Sequence, residues 1–346
     1  MSTIGGLCGC GAEGDASGPA PHTGTGGTGG RYDGGGLSGL GGAGGAGGQP
    51  AQLKGPPYPI VLAHGFFGFD TFAGWEYMDY FFHVKAFLAL RGEVNVYTPT
   101  VDPFNSSEVR GAQLEAKIQE ILQQTGYAKV NIIGHSQGGL DARVVAHDHP
   151  EWVASVVTVG TPHHGSIIAD IALKLVDNPE VGGVLDFFLQ TVGKAVWDDI
   201  GNETSLGTAL HSFTKQEIEQ FNSTYTDGPG VFYASFAGRT AFSDGGIQCA
   251  GAAPPFIVQF ADTLDPCDPM WVLTESILDG GLGESHPNDG LVRVEDARWG
   301  KFYGCVPADH NDEIGQVLGD SPGIGNDWDH QQFYADVVAL LRDLGL

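Results

Sequence analysis

Short, mostly apolar runs alternate with helix-spaced stretches along most of this chain. Tyr58-Pro59-Ile60-Val61-Leu62-Ala63 ends at His64-Gly65 and has the pattern of a strand covered on both faces. Val94-Asn95-Val96-Tyr97 predicts a second strand. Glu108 to Thr125 carries Leu114, Ile118, Ile121 and Leu122 on one helical face. Val130-Asn131-Ile132-Ile133 predicts another strand, with a helix behind it over residues 139–149. Two more buried strands are predicted at Val153 to Gly160 and Val231 to Phe236, and an amphipathic helix at Gln331 to Leu344. Strands alternating with helices predict an α/β fold with a doubly wound, mostly parallel sheet.

Residues from about 166 to 200 interrupt the alternation. Val184, Leu185, Phe188, Leu189, Val192 and Val196 recur at helical spacing and form a strongly apolar stripe. A core helix would explain such a stripe. Its place after a strand end, on the side where open α/β sheets bind ligands, favours a helical lid insertion.

Composition changes the picture at the N-terminus. The first 50 residues hold 21 of the 55 Gly, with Ser, Thr, Ala and Pro between them. This predicts a flexible tail or linker over residues 1–55 and one folded domain over 56–346. The net charge is −26, of which the first 50 residues supply −2. An acidic excess spread along the folded part excludes a nucleic-acid partner, which needs clustered Lys and Arg. It also opposes binding to an anionic membrane surface. No apolar run approaches the roughly 18 residues needed to span a bilayer.

Of the five Cys, Cys249, Cys267 and Cys305 lie in the folded part, enough for one disulfide and one thiol. Cys249–Cys267, which closes a short loop, is the expected pair. Leu7-Cys8-Gly9-Cys10 has the shape of a lipoprotein processing site, without the charged and apolar segments of a signal peptide before it. The expectation is a secreted protein, with a surface tether through the N-terminal Cys as the variant.

Gly134-His135-Ser136-Gln137-Gly138 follows a predicted strand and precedes a predicted helix. A G-x-S-x-G run in that context is the nucleophile elbow of an α/β-hydrolase. In that fold the partners follow the serine as an acid and then a histidine. His310 is the best placed base, with His286 and His330 as rivals, and His135 reads as structural. Asp289, on the Asn288-Asp289-Gly290 turn, is the candidate acid that orients the base. An oxyanion hole needs two backbone N–H donors, here Gln137 and Phe66 of the His64–Gly68 loop.

Five separated stretches occur in order: Tyr58 to Gly68, Phe104 to Gly111, Gly134 to Gly139, Thr161 to Ser166, and Asn288 to Val292. Together they resemble the Pseudomonas/Burkholderia/Proteus-type bacterial triacylglycerol lipases, over about Tyr58 to the C-terminus. The resemblance implies a Ser136–His310–Asp289 triad, a Phe66/Gln137 oxyanion hole and a mobile lid over an acyl-binding cleft. It implies a structural Ca²⁺ bracing the histidine loop. The ligands fall on Asp265, Asp312, the Gln316 carbonyl and the Asp320 carbonyl, with Asp268 left open beside Asp265. An oxygen-only set suits a hard cation. The implied substrate is a long-chain acylglycerol at an oil–water interface, and a dedicated foldase, which some relatives need, is left open. The family's usual cysteine, shortly after the catalytic acid, has no counterpart near Glu295. Two alternatives share the motifs: an esterase or polyester depolymerase with the same triad, and a non-catalytic hydrolase-fold binding protein.

Overall fold

In the computed structural model the described residues are 52–66, 79–176, 206–240, 246–280, 285–316, 319 and 322–346. They fall within one unit, Gln52–Leu346. The glycine-rich segment up to residue 51, the apolar stripe at 184–196 and Asp320 lie outside them.

Six strands form one sheet: β1 Ile60–Ala63, β2 Val96–Tyr97, β3 Val130–His135, β4 Val153–Val159, β5 Phe232–Gly238 and β6 Lys301–Val306. Their order is β2-β1-β3-β4-β5-β6, and every pairing is parallel. Side chains of a strand point alternately to opposite faces. Ile60 and Leu62 therefore enter one core with Phe236, Tyr334 and Val337, while Val61 and Ala63 enter another with Leu114, Ile118 and Val145. Burial on both faces is why β1, β3 and β4 read as mostly apolar runs without strict alternation.

Helices α1 Val84–Leu90, α2 Ser107–Thr125, α3 Gln137–Asp148 and α4 Ile167–Val176 come before residue 177. Helices α5 Leu206–Ser212, α6 Lys215–Thr224, α7 Pro255–Val258, α8 Val272–Asp279 and α9 His330–Asp343 come after residue 205. The last is capped by Asp329, whose Oδ1 accepts from Gln332 N at 2.7 Å.

Two readings are corrected. The strand predicted from Val94 starts at Val96, because Val94 is 76 % exposed at the sheet edge. The disulfide joins Cys249 to Cys305, not Cys249 to Cys267. Strand β6 is absent from the sequence reading. Its register sets Cys305 opposite Ala237 of β5, and the Cα of Cys305 then lies 5.3 Å from that of Cys249. Cys267 is a partly buried free thiol.

Candidate active site

Strand β3 ends at His135 and α3 begins at Gln137, so Ser136 alone makes the turn between them. It takes φ 53° and ψ −129°, a region that costs a non-glycine residue about 1–3 kcal/mol. The surroundings hold it there. Its N–H donates to Val159 O at the end of β4 at 2.9 Å, and Thr161 Oγ1 donates to its carbonyl at 2.8 Å. Gly138 is needed for close approach: a Cβ there would collide with the Ala63 carbonyl and lie 2.7 Å from that of His64.

The loop after β1 passes against this turn. A Cβ on Gly65 would lie 2.6 Å from the Ser136 Cβ, so only glycine admits the backbone here. Phe66 follows, its ring edge-on to Phe104 at 5.4 Å and to Phe213 at 5.9 Å. The Gln137 side chain turns away to donate to Asn105 O at 2.8 Å.

The buried Arg110 of α2 fixes the same loop from below. Its Nη2 donates to the carbonyls of His64 (2.6 Å) and Gly65 (3.3 Å), its Nη1 to Asp102 O (2.6 Å), and its Nε to Asp141 Oδ2 on α3 (2.8 Å). Burial still pushes the Asp141 carboxyl up to about 6, against the pull of Arg110.

Asp289 sits on a turn whose own amides orient it. Its Oδ1 accepts from Leu291 N at 2.8 Å and Val292 N at 2.6 Å, and Gly290 adopts φ 90°. Its Oδ2 accepts from His310 Nδ1 at 2.8 Å, and His310 N donates to Asp289 O at 2.8 Å. Both residues are buried. The carboxyl lies at the ends of β4 and β5, where a Cβ on Gly160 would lie 3.0 Å from Asp289 Oδ2. The rival histidines lie elsewhere. His286 faces Glu295 at 3.3 Å. His330 is buried at the start of α9, with Nε2 hydrogen-bonded to Phe82 O at 2.9 Å.

Behind His310 lies a buried chain that the sequence reading missed. Tyr80 Oη meets His135 Nδ1 at 2.8 Å, and His135 Nε2 meets Glu313 Oε2 at 2.8 Å. The rings of His135 and His310 stand 4.6 Å apart, and Glu313 Oε2 lies 3.9 Å from His310 Nδ1. Burial, then the adjacent Asp289 carboxylate, push the Glu313 carboxyl well up. Burial, then His310, push His135 well down, so it stays neutral. Both His135 nitrogens are engaged by Tyr80 and Glu313, which makes this a hydrogen-bonded cluster rather than a metal site. Glu313 is three residues past His310, but nothing local in Asp309-His310-Asn311-Asp312-Glu313 marks which of its acids meets His135.

The second cluster is acidic. Carboxylate oxygens of Asp265, Asp309 and Asp312 lie within 4.8 Å of one another, and all three residues are buried. Of the expected cation ligands, Asp265 and Asp312 are thus brought together. Gln316 follows them, its Nε2 donating to Asp79 O at 2.6 Å and Tyr80 O at 3.1 Å. Asp268 is not in the cluster, and Asp309 is the member that the sequence reading missed. Burial pushes Asp265 up to about 6 and Asp309 up to about 8. Asp265 Oδ2 and Asp309 Oδ2 are buried without a hydrogen-bond partner. Paired buried oxygens of this kind fit a cation and are costly without one.

Comparison with known proteins agrees with this architecture. Residues 58–240 match the alpha/beta hydrolase fold family. A triacylglycerol lipase of Vibrio cholerae is 35 % identical over 294 residues, covering 82 % of this chain and 85 % of that protein. A triacylglycerol lipase of Burkholderia plantarii is 31 % identical over 295 residues, covering 76 % and 80 %. The structure of a Bacillus licheniformis lipase in its mature form superposes with a TM-score of 0.54 at 21 % identity, covering 85 % of this chain and 96 % of that one, a likeness of fold. With the strained serine elbow on an all-parallel sheet, these matches place the chain in the bacterial triacylglycerol lipase family of α/β-hydrolase enzymes.

Proposed function

We propose that Ser136, His310 and Asp289 are the nucleophile, base and orienting acid of a lipase acting on long-chain acylglycerols. The buried 2.8 Å hydrogen bond from His310 Nδ1 to Asp289 Oδ2, beside the Ser136 elbow, carries this reading. Ser136 Oγ attacks the ester carbonyl carbon while His310 Nε2 takes its proton. Asp289 stabilises the imidazolium and keeps the ring in one tautomer. The amides of Phe66 and Gln137 hold the oxyanion of the tetrahedral intermediate. Collapse breaks the ester C–O bond, and the leaving alcohol takes the proton from His310. Water, deprotonated by His310, then frees the fatty acid and restores Ser136.

Asp265 and Asp312 would hold Ca²⁺, with the Gln316 and Asp320 carbonyls as the ligands that the resemblance implies. When bound, the ion supplies a structural brace for the loop that carries His310. The segment at about 166–200 is the lid in this reading, and its apolar stripe suits an oil–water interface. A secreted protein meets such substrates, and no helix among the described residues is long and apolar enough to cross a membrane.

The test is a hydrolysis profile on p-nitrophenyl esters of increasing acyl length and on emulsified trioleoylglycerol, for the parent and Ser136→Ala. We expect activity on the emulsion in the parent and none in the variant. A clear short-chain preference with no interfacial activity would replace the lipase by an esterase. An inactive parent would overturn the enzyme reading.

A further inference from the structure

We propose that Asp309 is a third carboxylate ligand of the cation, so that the ion grips the chain on both sides of His310. This rests on the calcium reading of the site and adds to it a residue outside the ligand set that the resemblance implied.

Asp309 is fully buried, and its two oxygens have different surroundings. Oδ1 accepts from Asn311 N at 2.9 Å and Asp312 N at 3.0 Å, closing the turn that follows His310. Oδ2 is buried and has no hydrogen-bond partner. The same holds for Asp265 Oδ2 across the cluster. A carboxylate that needed only to cap the turn could leave its second oxygen toward solvent; this one is enclosed with two other acids.

The spacing fits one ion. Oxygens bound to Ca²⁺ at about 2.3–2.6 Å can stand no more than about 5 Å apart. The carboxylate oxygens of Asp265, Asp309 and Asp312 all lie within 4.8 Å of one another. Three buried carboxylates of one sign repel, and a cation between them relieves that repulsion. An all-oxygen, trianionic set favours a hard divalent ion and raises its affinity over a dianionic one.

The consequence is local. With Asp312 alone, the ion would hold the loop two residues after His310. With Asp309 as well, it holds the residue directly before it, and His310 N is already tied to Asp289 O at 2.8 Å. The base is then positioned by the ion on both sides and by Asp289 from its own backbone.

Asp309→Asn tests the assignment, because the amide keeps an Oδ1 acceptor for the turn and removes the charge. The full chain is stripped of divalent ions and titrated with Ca²⁺ by calorimetry, and Tm is measured in chelator and in saturating Ca²⁺. Asp312→Asn is run beside it. We expect Asp309→Asn to bind Ca²⁺ weaker by on the order of tenfold or more, to melt no lower than the parent in chelator, and to melt below it in Ca²⁺. Parent-like binding in Asp309→Asn beside lost binding in Asp312→Asn would overturn the third ligand and keep the calcium site. An equal drop in Tm with and without Ca²⁺ would reduce Asp309 to a turn residue and also overturn the proposal. A parent that neither binds Ca²⁺ nor gains Tm would overturn both readings.

Discussion

Replacing Arg110 with Met should cost both stability and acylation, and the structure says by how much. The Arg110 side chain is fully buried, with its ion-pair partner Asp141 only 1 % exposed. It donates to Asp141 and to three backbone carbonyls, two of them in the loop that carries Phe66. Removing one member of a buried pair costs about 3–5 kcal/mol. Asp141, already pushed up to about 6 beside Arg110, will take a proton rather than stay charged, which holds the loss near the lower end. The stranded carbonyls of His64 and Asp102 add about 1 kcal/mol each even with some relaxation. The expected loss is about 4–5 kcal/mol, a large share of the roughly 5–15 kcal/mol typical of a folded domain.

Urea unfolding followed by tryptophan fluorescence reads that loss. Burst-phase acylation with a short-chain p-nitrophenyl ester reads the position of the Phe66 amide, the proposed oxyanion donor. Acylation should fall about tenfold or more, since a misplaced oxyanion donor costs transition-state binding. The double variant Arg110→Met/Asp141→Leu should regain much of the stability, because no buried charge is left. It should not regain acylation, because the His64 and Gly65 carbonyls stay untethered. A loss under about 1 kcal/mol, or full acylation in the double variant, would refute the argument.

Gly138→Ala should abolish acylation and lower Tm, because its Cβ overlaps the Ala63 carbonyl; overpacking of this kind costs about 1–3 kcal/mol or more. Cys305→Ser should cost about 4 kcal/mol by the chain-entropy relation for a 56-residue separation, while Cys267→Ser leaves chemical denaturation nearly unchanged. Burial pushes Asp296 up to about 6 despite Lys215 at 3.8 Å. The native state therefore holds that proton more tightly than the unfolded chain, and the stability that it contributes drains away as pH rises from about 4 to about 6. Asp296→Asn should match the parent at pH 3.5 and exceed it at pH 7 by at most about 3 kcal/mol, read as melting curves at the two pH values. A constant offset across pH would count against the burial argument.

What the sequence reveals follows from where each signal resides. Strands β1, β3 and β4 are central and covered on both faces, so burial writes itself into mostly apolar runs. Among the described strands β6, Lys-Phe-Tyr-Gly-Cys-Val, is an edge strand paired with β5 alone, with a register break against it. Lys301 opens it and Gly304, at φ 120°, interrupts its apolar stretch, and without the strand Cys305 could not be placed beside Cys249. Ser136 was legible because its strain demands a local glycine frame, and Asp289 because its turn is built from Asn288 and Gly290. The acids around His310 are different in kind. Asp309, Asp312 and Glu313 are neighbours in one polar run, yet the structure sends Glu313 to His135 and gathers Asp309 and Asp312 with Asp265, 44 residues before Asp309. Long-range packing alone sorts them, and it does so on either side of the base. One short acidic loop thereby places one carboxyl behind the histidine, against His135, and two others beside Asp265.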